Sequence, residues 1–451
     1  MIPTELGTEN VGKLLKQYAM PAIVAMAATS LYNMVDSIFI GQGVGPMAIA
    51  GLAVTFPLMN LSIAFGTLVG VGAATLISML LGQKNYYMAN RVLGNVVMLN
   101  VAIGVIVTAL GLIFLDPILY FFGASDVTIP YAREYMVIIL AANIISHLYH
   151  GLNGVVRASG LPRKAMAATL LAVGLNTVLD PIFIFGFNMG IRGAALATVI
   201  AQIVSLLWVV RILSDRNHVV HFSREIFHFD IKIAQRSLSI GMAPFLMNVA
   251  SCFVVILINR QLQTYGGDMA IGAYGIINRI VFLFVMLIMG FTQGMQPIAG
   301  YNYGAKQYDR VKQVLKMTIV CATICTTLGF LAGELFPRTL VSLFTRDETL
   351  KLLSAHALRI DVAVFPIVGF QIVVSNFFQC IGYVNKAIFL SLSRQLIFLI
   401  PFLIIFPRFW GTDGVWWSMP ASDLVAAVIA FVMITRLMKT FGTKDEKAIL
   451  E

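Results

Sequence analysis

Leu81-Gly-Gln-Lys-Asn-Tyr86 recurs as Tyr303-Gly-Ala-Lys-Gln-Tyr308, 222 positions later. The same distance separates Gly160-Leu-Pro-Arg-Lys-Ala165 from Gly382-Tyr-Val-Asn-Lys-Ala387, and Ala48-Ile49 from Ala270-Ile271; Pro21 meets Pro244 at 223. One offset at sites this far apart marks an internal duplication. Both longer motifs are short polar connections between apolar runs. The duplicated unit is therefore a set of apolar segments joined by small polar turns.

The composition says what those segments are. Of 451 residues 59% are hydrophobic and 12% charged, with mean hydropathy +0.87. A soluble domain carries about 25% charged residues, so half of the usual polar coat is missing. About 20 apolar residues cross a bilayer, and the chain holds twelve such runs. They fall near 14–40, 50–80, 92–115, 132–156, 165–186 and 193–213, then near 234–260, 270–300, 314–336, 352–380, 387–406 and 414–437. The fold class expected is an all-α integral membrane protein of twelve transmembrane helices.

Charge sets the orientation. With the N-terminus inside, cytoplasmic segments hold 22 of the 31 Lys and Arg residues and outside segments hold 8. That bias places both termini in the cytoplasm of a multi-pass protein. It also explains the net charge of +10 without nucleic acid. Six spans return the chain to its starting side, so the two halves run parallel. Two six-helix bundles related by a pseudo-two-fold axis along the membrane normal follow. The expected lobes are 1–213 and 233–451, joined by a cytoplasmic linker at 214–232. Such a pair encloses a central cavity, which is transporter geometry; a duplicated channel is the other reading.

Ionisable groups inside spans cost about 2.5–3.5 kcal/mol each at the centre of a helix, so each needs a reason. Asp36 lies in span one and Asp180 in span five, with Asn176 one turn before it on the same helix face. Thr198 lies early in span six. At 1.5 Å per residue all four fall roughly 6–15 Å below the outer ends of their spans. Pro181 lacks an N–H and frees the carbonyl of Thr177. An oxygen-only set of this kind suits Na⁺ or H⁺ rather than Zn²⁺ or copper. A helix–helix hydrogen-bond cluster would use the same residues.

The remaining polar groups carry less. His147 and His150 are three apart and lack the metalloprotease spacing; the linker histidines His218, His221 and His228 read as a solvated connection. Cys252, Cys321, Cys325 and Cys380 have no metal-ligand spacing, and Cys321 and Cys325 are a helical turn apart. Arg279, Asp361, Arg394 and Asp423 lie in or near second-half spans, where they can pair with one another. No nucleophile–base arrangement or phosphate-binding loop occurs, so neither an enzyme nor direct ATP drive is expected, and no cofactor is called for.

Three stretches carry a family resemblance. They are Met20-Pro-Ala-Ile-Val-Ala-Met-Ala-Ala-Thr-Ser-Leu-Tyr-Asn-Met-Val-Asp36 with its continuation to Gly41, Asn176-Thr-Val-Leu-Asp-Pro-Ile-Phe-Ile-Phe-Gly186 with Gly193-Ala-Ala-Leu-Ala-Thr198, and Gln296-Pro-Ile-Ala-Gly-Tyr-Asn-Tyr-Gly-Ala-Lys306. Together they resemble the multidrug and toxic compound extrusion (MATE) family, in its MepA-like bacterial branch. The resemblance implies two six-helix lobes around a V-shaped cavity and secondary active exchange of Na⁺ or H⁺ for cationic amphipathic drugs and dyes. It implies a monomer in a bacterial inner membrane.

The family's first-lobe cation site maps onto Asp36, Asn176, Asp180 and Thr198, which are metal ligands if the ion is Na⁺. Tyr32 and Asn153 fall where relatives have cavity-lining residues. Asp361 does not match the carboxylates some relatives carry in the second lobe. Two rivals remain at this point: a lipid-linked oligosaccharide flippase of the same superfamily, expected to have a cationic cavity, and a non-transporting membrane scaffold.

Overall fold

A computed structural model describes residues 4–44 and 46–441. Lys444 and Lys447, counted above as cytoplasmic, lie outside the described residues. The described chain is helical throughout, with no strand among the described residues. In the first half run α1 (Val11–Gly43), α2 (Pro46–Gly82), α3 (Tyr86–Ile113), α4 (Ile129–Ala141), α5 (Asn143–Ala158), α6 (Pro162–Pro181) and α7 (Ile191–Leu213). In the second run α8 (Ile231–Gly304), α9 (Tyr308–Leu335), α10 (Glu348–Val362), α11 (Phe365–Cys380), α12 (Val384–Leu392), α13 (Ile400–Trp410) and α14 (Thr412–Thr440).

These make twelve crossings. The 74-residue α8 is two helices, because Gly267 at φ +67° breaks it into separate arms. Spans four and ten are each a bent pair: α4 with α5 at 56°, α10 with α11 at 53°. Spans five and eleven each contain a π-helical turn, at Ile182–Gly186 after Pro181 and at Ser393–Leu399 between α12 and α13. Such turns arise where the regular ladder is interrupted, and they frequently mark functional positions.

The duplication is written into the backbone. Lys84 and Lys306 both take positive φ, at 59° and 58°. Phe114 pairs with Phe336 and Ala142 with Val364 as helix caps of like geometry; Gly160 and Gly382 sit at φ 92° and 78°. All four pairs are 222 apart. Gly190 and Gly411, at φ 57° and 58°, are 221 apart, so one residue has been lost between them and the preceding pair.

Two compact units emerge, and they do not follow the chain order strictly. One comprises residues 1–8 and 24–245, the other 9–23 and 246–451. The first arm of α1 thus belongs with the second half, and residues up to 245, including the start of α8, belong with the first. In the first unit α2 meets that start of α8 so closely that a Cβ on Gly72 would lie 1.8 Å from the Ser237 carbonyl oxygen. In the second unit Gly294, the repeat mate of Gly72, meets Ala19 of α1, where a Cβ would come within 2.6 Å of the Ala19 backbone. Segment 214–230 is tied to α3. Asn90 Nδ2 donates to the Val219 carbonyl at 2.8 Å, Asn95 Oδ1 accepts from the Asp230 N–H at 3.0 Å, and Arg91 pairs with Asp230 at 3.4 Å.

Candidate functional site

The carboxyl groups of Asp36 on α1 and Asp180 on α6 lie within hydrogen-bonding reach of each other. They are 8% and 0% exposed. Asp180 is positioned by the last turn of α6, where Pro181 and the following π turn re-aim the helix end. Asp36 is seven residues from the Gly43 end of α1, and Thr198 is seven from the Ile191 end of α7. That puts each about 10 Å in from its helix end.

Hydrogen bonding then fixes what the site presents. The Thr198 hydroxyl donates to the Ala194 carbonyl at 3.1 Å and accepts from Asn176 Nδ2 at 3.1 Å. Tyr32 Oη lies 3.4 Å from the same hydroxyl oxygen. With its amide nitrogen committed to Thr198, Asn176 turns its Oδ1 the other way. Asn176 Oδ1, Asp36 Oδ1 and both Asp180 oxygens are buried without a hydrogen-bond donor. Four acceptor oxygens, two of them on one carboxylate, gather with no N–H to serve them. Burying such groups unpaired is expensive, and two adjacent carboxylates repel strongly where water is scarce. A small cation meets both demands. The set has no nitrogen or sulfur ligand, so its chemistry is that of a hard ion or a proton.

The structure therefore brings together Asp36, Asn176, Asp180 and Thr198, and adds Tyr32 to them. It keeps Asn153 apart: its Nδ2 donates to Thr169 Oγ1 at 3.2 Å, on the other stretch of α6. Thr198 touches the set, yet its hydroxyl is engaged on every side, so it orients Asn176 more than it offers an oxygen. Sequence reading missed Tyr135 of α4. It is 2% exposed and packs close to Asp36, Asp180 and Thr198. A tyrosine in an apolar span carries no signal of its own; its place beside the two aspartates becomes visible only once the lobe is folded.

His147, His218, His221 and His356 have local partners. His147 is fully buried, with Nε2 2.9 Å from the Ser62 carbonyl oxygen, and Ser62 also donates to Asn143 Oδ1. His218 Nε2 meets Lys164 Nζ at 3.2 Å. Among the described residues no group of three or more His, Cys, Asp and Glu side chains is arranged to hold a metal ion. The cysteines are unpaired.

Comparison with known proteins places the fold in a family. The MatE family model matches residues 21–182 and 240–405, one copy in each half. The chain belongs to the MatE family. Within that family it is 28% identical over 445 residues to the multidrug export protein MepA of Staphylococcus haemolyticus, covering 98% of this chain and 97% of that one. Among solved structures, an outward-facing multidrug resistance MATE transporter of the MOP superfamily superposes with TM-score 0.93 at 26% identity, over 98% of this chain and 99% of the other. The MATE multidrug transporter DinF-BH gives TM-score 0.90 at 35% identity, over 97% and 98%. The two-bundle, twelve-helix architecture is that of the MATE fold, and the family is one of transporters, not enzymes. This chain is an integral membrane transporter.

Proposed function

We propose that this chain exports cationic amphipathic small molecules by exchanging them for Na⁺ or H⁺ in an alternating-access cycle. The observation that carries the reading is the donor-free oxygen set of Asp36, Asp180 and Asn176. An ionised pair of carboxylates without donors demands a counter-charge, and a monovalent ion from solution supplies it. Loading by that ion and loading by a cationic drug then compete for the same negative charge. Linkage makes the competition reciprocal: each must weaken the other's binding by the same factor. Thr198 and Tyr32 hold the amide in place, and Tyr135 walls the site. Asn153, bonded to Thr169, belongs to the drug-facing surface of this reading.

The membrane is a bacterial inner membrane, with both termini and segment 214–232 on the cytoplasmic side, as the distribution of Lys and Arg supports. The functional unit is one chain, with lobes at 1–213 and 233–451 that trade the first arm of α1 for the start of α8. The acidic pair of the first lobe weighs against a lipid-pyrophosphate flippase, whose cargo is itself anionic.

The test is efflux from cells overproducing the chain. They should accumulate less ethidium than control cells, and dissipating the ion gradients should abolish the difference. Imposing a Na⁺ gradient and a pH gradient separately names the ion. Equal accumulation across cationic, zwitterionic and anionic compounds would leave the scaffold reading standing.

A further inference from the structure

The second lobe has embedded charges of its own, and none stands where the first lobe keeps its site. Tyr135 maps to Ala357 at the 222 offset, and Thr198 to Met419 at 221. Asp36 maps to Ile258 or Asn259 according to whether 222 or 223 holds, and Asp180 to Pro401 or Phe402. No carboxylate is among them. Its clustered charges, with Arg279 exposed on α8, are instead Asp361, Arg394 and Asp423. In the first half these map to Ile139, to Ala172 or Val173, and to Gln202, all uncharged.

The three come from three elements and lie at one depth. Asp361 is the fourteenth residue of α10, beside the 53° bend into α11. Arg394 is the second residue of the π turn Ser393–Leu399. Asp423 is the twelfth residue of α14. Counted from the 348, 410 and 412 ends, which lie on one face, they sit roughly 17–24 Å in, near the middle of a hydrocarbon layer about 30 Å thick. Arg394 Nε lies 3.3 Å from Asp423 Oδ1, with both side chains half-buried. Asp361 is within electrostatic reach of both. Arg394 is one of the 22 basic residues assigned to the cytoplasmic side, although it also falls within the run 387–406; the structure puts it inside the span.

We propose that Arg394 is a built-in counter-cation, doing for Asp361 and Asp423 what an ion from solution does for Asp36 and Asp180, so that the second lobe takes up no coupling ion. This rests on the coupling role proposed above for the first lobe. The charge arithmetic is the same in both lobes. Two carboxylates and one monovalent cation leave one negative charge, whether the cation diffuses in or is attached to α12–α13 through the π turn. A guanidinium stays protonated at any physiological pH, so the tethered ion never leaves. The π turn is the device that makes this possible, because it re-aims residue 394 within an otherwise continuous span. The other ionisable groups facing α10 are Tyr274 of α8, Glu334 of α9 against Arg359 at 3.9 Å, and Asp413 of α14 against His356 at 3.1 Å. The last two are paired already and exposed toward the helix ends.

The experiment is thermal unfolding of the full purified chain, with Na⁺ replacing choline at constant ionic strength, and with pH lowered in choline alone. Asp36→Asn/Asp180→Asn should lose the cation-dependent rise in Tm. Adding Arg394→Gln to that double variant should restore a rise with Na⁺ or with acid, relative to its own parent. Asp423→Asn should remove the rise again, and Arg394→Lys should leave the parent's behaviour unchanged. A folded Arg394→Gln variant that responds to neither cation overturns the proposal. So does a cation response that survives Asp36→Asn/Asp180→Asn and disappears with Asp361→Asn. Should Arg394→Gln not fold, the single variant Asp423→Asn decides. Its cation titration should superimpose on the wild-type curve, and a shifted midpoint or altered amplitude overturns the proposal. A wild-type chain that binds cations in this assay yet exports no ethidium would defeat the export reading alone.

Discussion

In the first lobe an acidic pair lies about 10 Å inside the helix ends, served by an amide oxygen and enclosed by two tyrosines. In the second lobe an acidic pair lies roughly twice as deep and carries an arginine. The backbones of the two lobes still agree at three positive-φ pairs, Lys84 and Lys306, Gly160 and Gly382, and Gly190 and Gly411, although Gly123 and Asn188 have no such mate. Duplication has thus preserved the parts that turn the chain and released the parts that hold charge. Backbone turns admit few residues, whereas a buried charge can be moved to any pair of facing helices if its partner moves too.

The sharpest test of that comparison is to neutralise each acidic pair in turn. Asp36→Asn and Asp180→Asn keep shape and remove charge, so gradient-driven ethidium efflux should fall to the level of cells without the protein. Asp361→Asn should leave at least half of it, because its partner arginine keeps Asp423. Measured side by side, equal losses in both lobes would erase the distinction. A smaller effect is expected from Asn176→Ala, which deletes one neutral oxygen and the bond to Thr198. Coupling should weaken, with the ion concentration for half-maximal efflux rising several-fold, about 1 kcal/mol of lost binding. Tyr135→Phe should do less than Asn176→Ala, since the ring still fills its place.

The packing of the two lobes can be compared in the same way. Gly72→Ala pushes a methyl into the Ser237 carbonyl, a backbone atom that cannot step aside, and should cost about 1–3 kcal/mol or more of stability. Gly294→Ala meets the Ala19 backbone at a longer distance and should cost less. Thermal unfolding of the two variants reads the difference, and a more fragile Gly294→Ala would reverse the order. The least effect should come from Arg133→Ala. Its 2.6 Å pair with Asp116 is about half exposed and screened by solvent, so the variant's Tm should stay closest to that of the wild type.

The twelve spans, the repeat and the acidic pair were all legible in the sequence, for distinct reasons. Apolar length reports a bilayer directly, and an aspartate inside such a run stands out against it. Asn176 was legible because it lies one turn from Asp180 in the same helix. Tyr135 was not, because a tyrosine among Ile, Met and Val looks like packing. Tyr32 was read from the family resemblance as lining the drug cavity, and its bond to Thr198 depends on α1 and α7 meeting. The bend at Ala142 left no mark, since alanine does not break a helix by itself, whereas the bend at Val364 is marked by Pro366, which opens α11. Arg394 fits both the cytoplasmic count and the run 387–406, and the π turn that decides between them has no spelling in the sequence.

The exchanged arm of α1 has a consequence for the order in which the protein is made. Residues 9–23 leave the ribosome first, yet their packing partners are Gly290, Gly294 and Met317, and the carbonyl that Arg310 bonds at 2.6 Å is that of Glu9. At the usual 5–20 residues per second, roughly 15–60 s separate synthesis of that arm from the appearance of its partners. During that interval the arm is in the membrane without its glycine seat, and the first unit lacks the start of α8 until residue 245 follows. Neither half of the duplication can finish its own core from its own residues. A chain cut within segment 214–230 would have to be rebuilt from both fragments together, each lending the other a helix.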